Sequence, residues 1–452
     1  MHLEETTLQL LKDALKQLDE GFASLPAISG DFAQDPRLAT VMGEVAARLQ
    51  DNYPYFHPLY AGQMLKPPHP IARAAYALAT WINPNNHALD GGRASSAMEI
   101  EAVEQIAGMF SWREFLGHLC GGGTMANLEA LWVAGQLAPG KKVLASDQSH
   151  YTHQRISSVL QLPFAVVASD NHGRMDVKAL EKALEASDAG CVVATLGTTG
   201  TGAADPLREI LRLRERYGFR VHVDAAYGGY FTLAGNLAGE TRASYDLIPH
   251  ADSIVIDPHK HGLQPYGCGC VLFSDPSVGA IYKHESPYTY FTSSELHLGE
   301  ISLECSRPGA AAVALWATQR LFPLVRGGEF AAMLEASRDA AVQFSQRLAS
   351  DARWLVPFAP ELDIVVWAPR GESVREISAL SQRIFDAAAK ENLHLALIRL
   401  PVRFFAQLHN AAGSDHETVL CLRSVLMKPE HRDWLDRIWA ILSRAADQVP
   451  PQ

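Results

Sequence analysis

The chain has 452 residues, of which 48% are hydrophobic and 20% are charged, and its formal net charge is −11 at pH 7. This length is too great for one simple core and predicts two unequal lobes or a large domain with appendages. The negative charge and the lack of a basic run argue against nucleic acid as a partner, because phosphate backbones are bound by basic patches.

The six cysteines are scattered, several of them in apolar stretches, and are predicted to be buried free thiols. Cys268-Gly269-Cys270 lacks the usual zinc spacing and a second cysteine pair, so no metal site is expected. The N-terminus begins Met1-His2-Leu3-Glu4-Glu5, without the basic and apolar regions of a signal peptide, and no apolar run approaches membrane-spanning length. We therefore expect a cytoplasmic protein with no membrane partner.

In chain order, the first predicted elements are two helices, at residues 6–20 and 37–50, that would form an N-terminal arm. Residues 52–70 are rich in proline and aromatic residues and cannot form a regular element. Further helices are predicted at residues 71–82 and 97–110.

A run of glycines, Gly121-Gly122-Gly123-Thr124, separates a predicted strand from a strong helix that begins at Met125. A helix N-terminus leaves several amide hydrogens unpaired, and its dipole attracts anions. The motif is therefore predicted to hold a phosphate, with Gly123 and Thr124 as its best ligands. It is not a Walker loop, since no Gly-Lys-Ser/Thr follows.

Strand-like and helix-like segments then alternate, and the strands are almost continuously apolar, which predicts a mostly parallel sheet covered by helices on both faces. The segments are Lys142–Ser146, Phe164–Ala168, 176–185, Cys191–Leu196, 206–217 and Arg220–Asp224. From Arg353 the pattern changes to fewer, longer-spaced strands, predicted at residues 364–367, 393–398 and 418–426, with helices at residues 373–390 and 430–446. This pattern suggests a small α+β lobe. We expect residues 1–70 to form the arm and a segment leading to the substrate, residues 71–320 the large domain, and residues 321–452 the small domain.

Two strands of the large domain end in polar groups, Asp224 after the first and Lys260 shortly after the second. The carboxyl ends of strands form the ligand crevice of such sheets, so the two side chains are predicted to meet. A lysine and an aspartate in one pocket suit pyridoxal phosphate, which needs an amine for a Schiff base and a carboxylate to keep its pyridine nitrogen protonated. The small residues that follow Asp224, among them Ala226, leave room for a flat ring.

The words His222-Val223-Asp224-Ala225-Ala226-Tyr227-Gly228-Gly229 and Asp257-Pro258-His259-Lys260 resemble those of the group II pyridoxal-phosphate-dependent amino acid decarboxylases. This resemblance implies an α/β protein of fold-type I, the aminotransferase-like fold. It also implies a homodimer with the active site at the subunit interface and an N-terminal arm that wraps the partner.

The resemblance further implies site residues. His150 would stack on the cofactor ring, Thr199, Asp257 and His259 would line the cofactor site, and Arg307 would reach the phosphate bound by the other subunit. Gln63, Tyr60 and Asn86 are the candidate substrate contacts. Plainer interpretations are a helix-capping histidine for His150, packing within the aromatic segment for Tyr60 and Gln63, and a turn residue for Asn86.

The stretch from Tyr282 to Glu300 has no periodicity and is predicted to be a functional or mobile loop. In the resembling decarboxylases a tyrosine of this loop donates a proton to the substrate, which implies a catalytic role for Tyr290 or, second, Tyr288. His150 and His259 are the next candidates for this donor.

The expected activity is decarboxylation of an L-amino acid to an amine and carbon dioxide. The word Ser306-Arg307-Pro308-Gly309 resembles the tyrosine decarboxylase and sphingosine-phosphate lyase branches. A carbon–carbon lyase and a decarboxylation-dependent aldehyde synthase therefore remain alternatives, as does a non-catalytic protein that binds pyridoxal phosphate. The sequence does not identify the amino acid.

Overall fold

The computed structural model describes residues 5–26, 35–283, 297–406, 408 and 418–449. Its helices are α1 Glu5–Gly21, α2 Arg37–Leu49, α3 Pro70–Thr80, α4 Leu89–Met109, α5 Gly123–Leu137, α6 Thr152–Val159, α7 Val177–Glu185, α8 Leu207–Tyr217, α9 Gly239–Tyr245, α10 Gly279–Tyr282, α11 Gly309–Leu321, α12 Glu329–Ala349, α13 Val374–Lys390 and α14 His431–Asp447. Its strands are β1 Leu116–Cys120, β2 Lys142–Ser146, β3 Phe164–Val167, β4 Ala189–Thr195, β5 Arg220–Asp224, β6 Ser253–Ile256, β7 Gly269–Phe273, β8 Trp354–Leu355, β9 Ile364–Pro369, β10 Ala396–Pro401 and β11 Thr418–Val425.

The large sheet has seven strands in the order β1-β7-β6-β5-β4-β2-β3. The five strands from β6 to β3 run parallel, whereas β7 is antiparallel to both β6 and β1. Every residue of β4, β6 and β7 is buried, as expected for a sheet covered on both faces. The mostly parallel sheet predicted from the alternating segments is therefore confirmed.

Local signals in the sequence explain where the surrounding helices begin and end. Asp176 caps α7 by accepting a hydrogen bond from the Ala179 amide at 2.8 Å. Helix α8 ends at Gly218, which has the left-handed φ of +70° that glycine tolerates best. The leucine and isoleucine side chains on one face of α8 are buried against the sheet, which gives the helix its stability.

A second sheet of four antiparallel strands, in the order β10-β11-β9-β8, forms the small α+β lobe with α13 and α14. The strand predicted at residues 393–398 begins three residues later, because Leu393 still closes the end of α13 through a hydrogen bond to Ala388. Strand β8 was not predicted, since two residues are too few to show a period. The domain boundaries at residues 70 and 320 stay predictions.

The segment between α2 and α3 lies against the small lobe. Its Tyr60 forms a parallel bridge with His394, and Ala61 accepts a hydrogen bond from the Val425 amide at 2.7 Å. The irregular aromatic segment therefore ties the start of the large domain to the small sheet.

Helices α1 and α2 differ from the other long helices because none of their residues is buried. Five apolar side chains of α2 are between 41% and 63% exposed: Leu38, Val41, Met42, Val45 and Leu49. Single exposed apolar residues are common, whereas a whole apolar helix face in contact with solvent marks an interaction surface.

Two further sequence expectations can be compared with the described residues. Five cysteines are buried free thiols, as predicted, but Cys305 is exposed. Among the helices in the described ranges, none combines the length and the apolar character that crossing a membrane requires.

Candidate active site

A cavity of about 530 Å³ opens where the carboxyl ends of β4 and β5 meet the N-terminus of α5 and the segment that follows β6. Asp224 and Lys260, predicted to be neighbours, both line it. The parallel pairing of β5 with β6 explains this, because it places Asp224 beside Val255, two residues before Asp257.

Asp224 ends β5 and is only 5% exposed. Its Oδ1 accepts a hydrogen bond from the Ala226 amide at 3.1 Å, and its Oδ2 lies 2.7 Å from Nε2 of His153. Burial alone would raise the pKa of this carboxyl group, but the hydrogen bond from His153 and the nearby positive charge, including that of Lys260, together outweigh burial and hold the pKa well below its usual range. Asp224 is thus a buried carboxylate that stays ionised.

Lys260 is paired with the carboxylate of Asp257, whose Oδ2 lies 3.0 Å from Nζ. Asp257 is 2% exposed, and its Oδ1 has no hydrogen-bond partner among the described residues. This ion pair holds the amine of Lys260 inside the cavity.

The predicted phosphate cradle lies at another wall of the same cavity, formed by the residues Gly121 to Met125. Gly122 has a φ of +141°, and α5 begins at Gly123, so its first amides lack acceptors within the helix. A Cβ added at Gly123 would lie 2.7 Å from Oδ2 of Asp257. The glycines therefore allow the helix N-terminus to approach the site closely. Glu304 also lines the cavity, and its Oε2 accepts the Gly121 amide at 3.0 Å.

Two histidines border the cavity, as predicted. Nδ1 of His150 lies 2.8 Å from the Thr152 hydroxyl, and burial lowers the pKa of His150. Nδ1 of His259 donates to the Cys268 carbonyl at 2.8 Å, its ring lies beside Tyr266 with centroids 4.7 Å apart, and burial lowers its pKa as well. Both imidazoles are therefore biased towards the neutral form that can lie on an aromatic ring.

Thr199 and Ala226 also line the cavity, in agreement with the predictions. The carbonyl oxygen of Thr199 accepts a hydrogen bond of 2.7 Å from Nη2 of Arg423, a residue that the sequence analysis missed. Nη1 of Arg423 lies 3.5 Å from Oε1 of Gln63, so the predicted substrate contact and this arginine are brought together. No local motif marks Arg423, which comes from a strand of the small lobe more than 200 residues away.

Three predicted ligands lie elsewhere. Arg307 is buried, with Nη1 3.1 Å from Oε1 of Glu99 and bonded to the Leu119 carbonyl, so its guanidinium group bonds within its own chain, and its reach to a partner's phosphate stays a prediction. Asn86 is fully buried and donates to Oε2 of Glu99 at 2.6 Å. It lies in the turn before α4, as its alternative interpretation expects, and its substrate contact stays a prediction.

Tyr60 does not border the cavity but packs in an aromatic cluster, with its ring centroid 5.0 Å from that of Tyr55 and 6.0 Å from that of His394. The packing interpretation of this residue agrees with the structure better than the predicted substrate contact. Tyr288 and Tyr290, the candidate proton donors, lie outside the described residues.

The residues present fit pyridoxal phosphate. The cavity holds an amine, an ionised carboxylate, a helix N-terminus able to bind a phosphate, and a neutral imidazole. Asp257 contributes a buried carboxylate oxygen without a partner among the described residues, as found in a site built around a further polar group.

Comparisons with known proteins agree with this fit. Residues 128–369 match the family described as the pyridoxal-dependent decarboxylase conserved domain. The chain is 28% identical to L-tyrosine decarboxylase of Enterococcus faecium over 81% of this chain and 79% of that protein. It is also 28% identical to L-2,4-diaminobutyrate decarboxylase of Acinetobacter baumannii over 82% of this chain and 79% of that protein.

A solved structure of TDC from Oryza sativa, with PLP and tryptamine, superposes with a TM-score of 0.78 at 18% identity, over 98% of this chain and 96% of that one. This similarity shows a common fold, and the predicted fold-type I architecture is confirmed.

The cradle leads to a direct prediction. Replacing Thr124 by valine removes one hydroxyl donor and keeps the side-chain shape, so the affinity for pyridoxal 5′-phosphate should fall about tenfold, or about 1.4 kcal/mol. Titrations that follow cofactor absorbance should show this loss, with pyridoxal, which lacks the phosphate, as the control ligand. Equal losses for both ligands would contradict the assignment of Thr124 to the phosphate.

Proposed function

Because the chain belongs to the pyridoxal-dependent decarboxylase family and is a pyridoxal-phosphate-dependent L-amino acid decarboxylase, we propose that the cavity around Lys260 and Asp224 is its active site. The convergence of these two side chains on one cavity with a helix N-terminus is the observation that supports this proposal most directly. The match to the family covers residues 128–369 and includes both Lys260 and Asp224.

When bound, pyridoxal phosphate supplies an electron-withdrawing ring that accepts the electron pair left when the α-carboxylate departs as carbon dioxide. The protein holds and orients the cofactor and the substrate. Lys260 would supply the amine that carries the cofactor, and Asp224 would keep the pyridine nitrogen protonated. The amides of Gly123 and Thr124 would bind the phosphate, and His150 would stack on the ring.

Lys260 is preferred over other buried lysines because of its place in the cavity. Burial lowers the pKa of Lys428 to about 7, which by itself would favour reaction with an aldehyde. However, Nζ of Lys428 donates to the Tyr60 and Leu65 carbonyls at 2.6 and 3.2 Å, outside the cavity. Lys260 is therefore chosen because its amine lies in the cavity, although the lowered pKa of Lys428 would favour the latter.

We further propose that Arg423 binds the α-carboxylate of the substrate. Its guanidinium group is 5% exposed and donates to the carbonyl oxygens of Thr199, Gly200 and Gly62. Asp363 is the nearby carboxylate whose charge acts on it, but the hydrogen bonds of the guanidinium group go to neutral oxygens. A buried cation hydrogen-bonded to neutral oxygens, behind the cavity wall formed by Thr199, suits a ligand that brings its own negative charge.

The side-chain preference stays open among the classes that relatives represent. One relative is named for an aromatic substrate and another for a basic one. Comparison of L-tyrosine, L-2,4-diaminobutyrate and L-aspartate by carbon dioxide release would separate aromatic, basic and acidic selectivity. The tyrosines of the loop, Tyr290 first and Tyr288 second, stay the proposed donors of the proton that replaces carbon dioxide.

We also propose that the protein is a cytoplasmic homodimer in which α1 and α2 pack on a second copy. Their exposed apolar residues support this, because neither helix has a buried residue within its own chain. A second copy is the simplest occupant, since a symmetric pair covers both exposed helix faces at once.

Lys260→Ala should abolish turnover, because no other amine of the described residues occupies its place in the cavity. Borohydride reduction of the cofactor-bound protein, followed by peptide mapping, should label Lys260 in the wild type. A label on Lys428, Lys283 or Lys142, or substantial activity in the variant, would show that the assignment is wrong.

Arg423→Gln should lower kcat/KM about 10- to 100-fold, which is the loss of about 1.5–3 kcal/mol expected for a hydrogen bond to a charged group. The affinity for the amine product, which has no carboxylate, should change little. Arg399→Gln, at an exposed position on the neighbouring strand β10, is the matched control. Equal weakening of amino acid and amine would argue against the carboxylate role.

A Val41→Glu, Met42→Glu double variant should shift the protein from dimer to monomer in sedimentation velocity, because two charges would be buried in the proposed interface. Leu137→Glu, at an exposed apolar position at the end of α5, serves as the control and should leave the dimer intact. A wild-type protein that sediments as a monomer at micromolar concentration would contradict the proposal.

A further inference from the structure

His153 is a buried histidine that the motifs did not single out. It lies in the first turn of α6, its side chain is fully buried, and its Nε2 lies 2.7 Å from Oδ2 of Asp224. A carboxylate oxygen can only accept, so Nε2 carries the proton and donates. Nδ1 has no hydrogen-bond partner among the described residues.

His153 does not reach the cavity itself. Its neighbour Thr152 and its partner Asp224 both line the cavity, whereas His153 lies behind them. Any effect that it has on a bound cofactor must therefore pass through Asp224.

Asp224 depends on few donors. Among the described residues its oxygens receive one backbone hydrogen bond, from Ala226 at 3.1 Å, and the shorter one from His153. An ionised carboxylate at this depth requires strong compensation for lost water. The bond from His153 is the stronger of the two by length, and it is the main reason that the pKa of Asp224 stays low.

A second buried histidine nearby, His222, bonds other side chains. His222 lies with its ring centroid 6.3 Å from that of His153. Its Nε2 bonds Asn127 at 2.7 Å and its Nδ1 bonds Ser253 at 2.8 Å. Burial lowers the pKa of His222 to about 3, so it is neutral under ordinary conditions and offers Asp224 no hydrogen bond. His153 is therefore the side chain that supports Asp224 directly.

We propose that His153 is a positioning residue, which fixes one oxygen of Asp224 and keeps the carboxylate ionised so that it can hold the pyridine nitrogen of the cofactor in its protonated form. This rests on the proposed function, in which Asp224 faces that nitrogen. The histidine does not touch the cofactor or the substrate. It determines how strongly the carboxylate prefers a protonated ring nitrogen over a neutral ring atom.

The test compares two cofactors. Pyridoxal 5′-phosphate has the ring nitrogen, and its 1-deaza analogue has a carbon there that gains nothing from an ionised Asp224. Wild-type protein should bind pyridoxal 5′-phosphate more tightly. In His153→Phe, which keeps a buried ring and removes the donor, this preference should fall at least about tenfold, the loss expected for one hydrogen bond to a charged group. The affinity for the analogue should hardly change. His153→Gln, whose amide can donate from nearly the same point, should restore most of the preference.

Each outcome gives a decision. If His153→Phe weakens both cofactors equally, the residue is only a packing element and the proposal is overturned, as it is if the preference does not change. His153→Leu provides the same comparison if the phenylalanine variant does not fold, as judged by circular dichroism. Asp224→Asn separates the two levels of the argument. If Asp224→Asn retains the wild-type preference for pyridoxal 5′-phosphate, Asp224 does not face the nitrogen and the proposed function of that residue fails. If Asp224→Asn loses this preference but His153→Phe keeps it, only the proposed role of His153 is overturned.

Discussion

A carboxylate that is buried and yet ionised is the feature on which the rest of this site depends. Asp224 can stay charged because a histidine of α6 and a backbone amide donate to it at the end of β5, and β5 itself is held between two parallel neighbours. The same pairing brings Lys260 to the cavity. The charges of the site therefore depend on the strand pairing of the sheet.

Positive and negative groups lie on different walls of the cavity, which suits a ligand that carries charges of both signs. The N-terminus of α5 offers partial positive charge at one wall, Asp224 offers negative charge at another, and Lys260 lies next to Asp257. Arg423 of the small lobe adds a cation behind the cavity wall formed by Thr199. A cofactor with a phosphate and a basic ring nitrogen would match the charges that line the cavity.

Several polar residues that resemble ligands instead support the walls of the cavity. Arg307 bonds the Leu119 carbonyl, and Glu99 accepts the Leu119 amide at 3.0 Å, so both fix the end of β1 just before the glycine cradle. Asn86 joins this buried group through Glu99. Buried polar groups must find partners, and here the partners form a frame that holds the cradle against the sheet.

The sequence alone determined the parallel sheet, the cradle before α5, and the meeting of Asp224 with Lys260, because local periodicity and the ends of strands decide these features. It could not place Arg423, which approaches Thr199 only after the small lobe has folded against the large one, or reveal that His153 faces Asp224 across 71 residues. It also did not reveal that Arg307 and Asn86 both bond Glu99, since a motif indicates which residues occur near a site but not the direction in which each side chain points. That direction is decided by tertiary packing, which requires every buried polar group to find a partner.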